Sequence, residues 1–158
     1  MSNSSLYDDD ILLWSEQQAA VIRELGRTRR VPNDLDIENV AEEIEGVGRS
    51  ELAAVKSYIR LIFVHLIRLS MQANADAAPH WRGEIVAFHS DMMARYAPSM
   101  RQRIDVDQLW RSAREQTLES YEGEQRRLVA NFPATSPFAL EDLLVDRIDL
   151  IALLKRLG

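Results

Sequence analysis

"EIEGVGRSELAAVKSYIRLIFVHLIRL", residues 43–69, opens acidic and glycine-punctuated and closes almost wholly apolar. Its periodicity decides the fold. With Ile37 at zero and about 100° per residue, Ile37, Ala41, Ile44, Gly48, Leu52, Val55, Ile59, Ile62, Leu66 and Leu69 fall within about 60° of one line. The phase does not slip at Gly46 or Gly48, so the pattern predicts one long helix from about Ile37 to about Asn74. Gly48 lies on the inward face, where the missing side chain lets another helix approach closely. A break at Gly46–Gly48, with Ser50 capping a second helix, is the alternative. Tyr58 to Met71 is apolar around most of its circumference, which puts it at the centre with Ile62 and Leu66 in the core. The run also holds Arg60, His65 and Arg68 and is shorter than the about 20 apolar residues that cross a bilayer.

Outward from this stretch, helical spacing recurs and strand alternation is nearly absent. Asp10 is a candidate N-cap for a first helix with Ile11, Trp14, Ala19, Ile22 and Leu25 inward, stopped at Gly26. Pro32 and Asn33-Asp34 make a loop, and Asp36 caps the long helix. Pro79 suits the first turn of the next helix, marked by Trp81, Ile85, Phe88, Met92 and Tyr96 and interrupted at Ala97-Pro98. A more polar helix is expected from about Val106 to Ala130. Its apolar positions are Leu109, Ala113, Thr117, Leu118, Tyr121 and Leu128. After "NFPATSPF", with Thr135 or Ser136 as cap, the tail carries Leu140, Leu144, Ile148, Ile151 and Leu154 at helical spacing. The fold class is therefore all-α, a helical bundle built round a long central helix.

The chain's 158 residues suit a single helical domain, 1–158, and 46% hydrophobic with 28% charged residues is ordinary for a globular protein. A net charge of −6 gives no general attraction for nucleic acid or anionic membrane. Cysteine is absent, which excludes disulfides and thiolate metal sites. "MSNSSLYDDD" has neither a basic flank nor an apolar signal core, so a soluble, cytoplasmic protein is expected.

Three segments together resemble a known family. "LYDDDILLW", "DIENVAEEIEGVGRSE" and "HLIRL" are similar to the bacterial domain-of-unknown-function family number twenty-nine. The matching residues are Tyr7, Asp10 and Trp14, then Asp36, Glu38, Asn39, Glu42, Glu43, Ile44, Glu45, Gly48, Ser50 and Glu51, then His65 and Leu66. Trp81 with Ile85, and "FPATSPFALEDLL", look like its later segments. The family-like region runs from about 6 to 145. It departs at Ala139, where the family tends to place a Ser or Thr cap, and in an extra C-terminal helix at about 146–157. The resemblance implies an all-helical fold and brings no activity, cofactor or catalytic residue.

One polar cluster merits weighing as a site: Glu38, Glu42, Glu45, Arg49 and His65. Carboxylates and an imidazole on bundle helices can hold a divalent metal. Against this, no His has a Glu three residues before it, and His-Glu-x-x-His is absent. His65 lies near 280° while Glu38 and Glu45 lie near 90° by the about 100° count, so one straight helix cannot unite them. The simpler expectation is that Glu38 and Glu42 sit at the positive end of a helix, Glu45 pairs with Arg49, and His65 joins a hydrogen-bond network without binding metal. No phosphate loop or nucleophile elbow occurs. The favoured reading is a non-enzymatic protein-interaction domain with a protein partner or a homodimer, no cofactor, no nucleic acid and no membrane. A metal-dependent hydrolase using the Glu/His cluster is the alternative, and a nucleic-acid-associated regulator a weaker one. The tail's wide apolar face must cover the core or meet a second copy.

Overall fold

The computed structural model describes residues 3–158, and among them every regular element is helical. Seven α-helices follow in order: α1 (Asn3–Asp9), α2 (Ile11–Thr28), α3 (Ile37–Met71), α4 (Ala78–Arg95), α5 (Val106–Ser120), α6 (Gly123–Asn131) and α7 (Leu150–Lys155). Short 3-10 turns occupy Pro98–Arg103 and Leu140–Asp142. The chain forms two compact units. The first takes the described residues up to Ala54 with Arg95–Arg103; the second takes Val55–Ala94 with Ile104–Gly158. The helix α3 is continuous through Gly46 and Gly48, as its unbroken apolar phase predicts, and it gives residues to both units.

In the first unit, Asp10 caps α2 by accepting from the Leu13 amide at 3.0 Å. The same buried carboxylate accepts from the Ser99 amide (2.8 Å) and hydroxyl (2.7 Å), which pins the Pro98–Arg103 turn to the start of α2. Asp36 starts α3 by accepting from the Asn39 amide at 3.2 Å. Gly48 is the contact point of α2 and α3. A Cβ there would meet the Ser15 hydroxyl and lie 2.9 Å from the Leu12 Cα, so only glycine lets the backbones come this close. Leu12 and Ser15 meet Gly48, and with Ala19 they are the buried residues of α2. Of the expected inward set Ala19 is buried, while Leu25 is exposed and Ile11, Trp14 and Ile22 are half-buried, so the buried face is rotated from the expected one. Gly26 does not stop α2, which continues to Thr28; it makes room for Ile37 instead, whose Cγ2 would lie 2.8 Å from an added Cβ.

The second unit is built round the apolar half of α3. Val55, Ile59, Ile62, Phe63, Leu66 and Ile67 are fully buried. Phe63 stacks on Phe138 (ring centroids 5.5 Å) and meets the edge of Trp110 (5.7 Å). The Trp110 indole N–H donates to the Pro133 carbonyl at 2.8 Å, so the one polar atom of this aromatic cluster is satisfied. Pro79 stands in the first turn of α4, as expected, and the helix ends at Arg95 before Ala97-Pro98.

Two helices differ from the sequence expectation. The predicted Val106–Ala130 helix is divided into α5 and α6 at Tyr121–Glu122, next to Gly123 at φ +57°, a backbone region that glycine adopts without strain. Val129, not Leu128, is consequently the buried residue of α6. The tail is not one long helix. After the Leu140–Asp142 turn it runs irregularly until Asp149 caps the six-residue α7, accepting from the Ala152 amide at 3.0 Å. Leu140, Leu143, Ile148 and Leu153 are buried and Ile151 is 70% exposed, so the even stripe expected of a continuous helix is split. Thr135 and Ser136 cap no helix; the Ser136 hydroxyl accepts from the Phe138 amide in the turn.

The glycines of α3 give opposite expectations. Gly48→Ala must push Leu12 backbone aside, and we expect a loss of about 2 kcal/mol or more by urea denaturation, as overpacking costs. Gly46→Ala meets only the Arg49 guanidinium at 3.6 Å, an ordinary contact, and gains helix propensity, so it should stabilise by about 0.5–1 kcal/mol. Equal effects at the two positions would remove the Gly48 contact as the feature that sets the α2–α3 approach.

Candidate functional site

The acidic cluster on the first half of α3 is organised by a residue that sequence reading passed over. Arg23, on α2, reaches Glu38 at 2.9 Å, Glu45 at 3.1 Å and Glu42 at 3.6 Å. Its guanidinium is held above its ordinary pKa, first by the hydrogen bond to Glu38 and then by that to Glu45. Arg49 bridges Glu42 at 2.6 Å and, one turn along, Glu45 at 3.5 Å, as the spacing predicts. The charge a metal would need is thus already balanced by two arginines. Among the described residues no group of three or more His, Cys, Asp or Glu could hold a metal ion. The helical period of α2 could not reveal Arg23, since its role depends on which face of α2 turns toward α3.

His65 belongs to the second unit, and its partners are other residues. It is 6% exposed. Its Nδ1–H donates to the Leu61 carbonyl at 2.8 Å, and Nε2 lies 2.6 Å from Glu84 Oε2, a contact that needs a proton between the two atoms. Phe88 closes one side of the ring with an edge contact at 5.5 Å. The expected network therefore exists, through the Leu61 carbonyl one turn back on α3 and Glu84 on α4. Glu84 also lies 3.4 Å from His80, one turn before it on α4 and 72% exposed at its side chain.

A groove of about 840 Å³ lies in the second unit between α4 and the irregular segment that leads into α7. Val86, His89, Ser90 and Met93 form one wall, and Asp146 to Ile151 the other. The segment is held at its far end by Arg156, which grips Asp142 through two hydrogen bonds of 2.6 and 2.9 Å. That guanidinium, and then the Ala139 amide, hold the Asp142 carboxyl below the ordinary carboxylate range against the opposing effect of burial. Sequence reading gave His89 no role. Its hydrogen-bond partner, the Leu143 carbonyl, belongs to a segment whose helical spacing does not become a helix, and no pattern on α4 announces the contact.

Comparison with known proteins agrees with this architecture. The family model described as "Domain of unknown function DUF29" matches residues 6–148. Among solved structures, the chain is similar to an alpha-helical protein of unknown function from Rhodospirillum rubrum. The identity is 33% and the TM-score 0.86, over 96% of this chain and 97% of that one. No curated protein matches the chain. Among the described residues no helix is long and apolar enough to cross a membrane.

Two substitutions check the polar contacts. Glu84→Ala leaves a buried His65 nitrogen without its partner and should cost about 1–3 kcal/mol, whereas His80→Ala at an exposed position should cost under about 0.5 kcal/mol. Equal losses in chemical denaturation would mean that Glu84 does not serve His65. Asp142→Asn weakens the grip on Arg156. Because the folded carboxyl titrates below its unfolded value, its contribution is present above the ordinary carboxylate range and is lost as pH falls through the folded value. Wild type should therefore exceed the Asn variant by about 0.5–1 kcal/mol at neutral pH, and the two should converge in acid.

Proposed function

This chain belongs to the DUF29 family, and we propose that it is a non-enzymatic, cytoplasmic interaction domain that associates with a second copy of itself through α2. One observation carries this reading: on the side of α2 turned away from Gly48, Leu13, Val21 and Leu25 recur at four-residue spacing as exposed apolar side chains, with the polar Gln17 among them. Val21 is 60% exposed, Leu25 44% and Leu13 36%. From Leu13 to Leu25 this stripe runs about 18 Å along the helix. Single exposed apolar residues are ordinary, but a stripe on one helix face marks a contact surface.

Charge selects the partner. The chain just before α2 carries exposed Asp8 and Asp9, and its end carries exposed Arg27, Arg29 and Arg30. Two copies of α2 laid antiparallel about a twofold axis set each acidic end against the other copy's basic end. A self-complementary patch of this kind is what a symmetric dimer requires. The hydrolase alternative finds less support, because arginines already neutralise the glutamates it would use. Nucleic-acid binding is opposed by the net charge of −6.

Light scattering on the full-length chain provides the test. We expect a mass near twice 18.1 kDa at high protein concentration and a single chain for the Val21→Glu/Leu25→Glu double variant. Reversing Arg29 and Arg30 to Glu should weaken the dimer, and adding Asp8→Lys and Asp9→Lys should restore it. A full-length protein that stays at one chain's mass at the highest concentration would end the proposal; a dimer indifferent to the α2 substitutions would move it to another face.

A further inference from the structure

We propose that the groove between α4 and residues 146–151 binds a small organic ammonium ion with an aliphatic body, and that His89 is the residue that recognises its N–H. The inference rests on the second unit alone and is independent of the dimer.

His89 is 5% exposed, and its Nε2–H donates to the Leu143 carbonyl at 2.9 Å. A carbonyl only accepts, so Nε2 carries the hydrogen, and in the neutral ring Nδ1 is left as a bare acceptor. Nδ1 has no hydrogen-bond partner among the described residues. Equally, no side-chain nitrogen or oxygen sealed from solvent among those residues is unsatisfied. Nδ1 therefore opens to solvent, and the space that His89 lines is the groove. A ring otherwise enclosed by protein, with its tautomer fixed by a backbone carbonyl, offers one acceptor at the groove wall. Its neighbour on the same helix face, Ile85, is fully buried and needs nothing from a ligand.

The surrounding residues define the ligand. A lone pair repels an anion and takes a donor, so the ligand must present N–H or O–H. Asp146 and Asp149 line the same groove with Arg147 as the one cation, which leaves it net negative and favours a positively charged donor. Asp149 spends one oxygen on the Ala152 amide, and its other oxygen has no protein partner among the described residues. Val86 at 53% and Ile151 at 70% exposure supply hydrocarbon on opposite walls. An apolar body lying between them would remove both from water. The volume is within the range of small-molecule sites, roughly 300–1,000 Å³. A metal ion is a poorer fit, since no metal-holding group of three ligands exists among the described residues.

The experiment titrates the full-length chain with hexylamine, hexanoate and hexanol, each followed by long-range proton–nitrogen NMR of the imidazoles and by backbone amide shifts. The free protein should show His89 with its hydrogen on Nε2. Hexylamine should shift Nδ1 and the amides of residues 146–151, and hexanol should do so more weakly. Hexanoate should leave them in place. Asp146→Asn, at an exposed position that spares the fold, should weaken hexylamine about tenfold, the worth of one charge-assisted hydrogen bond. His89→Phe should abolish the Nδ1-dependent response. If that variant does not fold, the exposed Ile151→Asp substitution, which removes the hydrocarbon wall, should still weaken hexylamine relative to ammonium ion alone. The proposal is overturned if His89 carries its hydrogen on Nδ1, if hexanoate binds as well as hexylamine, or if none of the three perturbs the groove at millimolar concentration. An Asp146→Asn variant that binds unchanged overturns the assignment to an ammonium ion.

Discussion

The fold depends on the burial of α3. Its second half carries Val55, Ile59, Ile62, Phe63, Val64, Leu66, Ile67 and Leu69 around nearly the whole circumference, all at most 1% exposed. A helix apolar on every side cannot rest on a single neighbour; it has to be enclosed. The second unit supplies α4, α5 and the Phe138 turn for that purpose, and Phe63 stacks on Phe138 with Trp110 at the edge of the pair. At its first half α3 is amphipathic and needs only α2, which Gly48 admits to backbone contact.

Polar groups follow a single rule, which is that burial demands a partner. Asp10 caps α2 and holds Ser99; His65 lies between the Leu61 carbonyl and Glu84; Thr117 returns its hydroxyl to the Ala113 carbonyl. Each turns a polar atom into a structural tie and leaves it no chemistry to perform. The glutamates near the start of α3 are also occupied, by Arg23 and Arg49, although Glu38 and Glu42 are exposed. His89 differs from all of these. One ring nitrogen is tied to the protein and the other faces a groove, which is the arrangement of a recognition group.

Residues 37–71 show how far local pattern reaches. The unbroken phase across Gly46 and Gly48, the Asp10 and Asp36 caps, and Pro79 in the first turn of α4 were legible because each depends on neighbours within a turn of chain. The α5–α6 break was not. Leu118, Tyr121 and Leu128 keep a rough helical spacing, yet the backbone turns extended at Tyr121 and Glu122 before Gly123, φ +57°, opens the next helix. The tail misled for a related reason: Ile148, Ile151 and Leu154 satisfy a helical period, yet packing draws Leu143 and Leu153 inward and leaves Ile151 in solvent.

The sequence by itself determined the all-helical class, the long central helix, the buried core of residues 58–69 and the family, since hydrophobic period and short caps are local properties of the chain. Only the tertiary structure decided which side of α2 is buried, that Arg23 gathers three glutamates, that His65 meets Glu84, and that His89 opens on a groove walled by residues 146–151. Each of these joins residues far apart along the chain. Periodicity fixes the angle of a side chain about its own helix axis; it does not say which neighbour stands opposite.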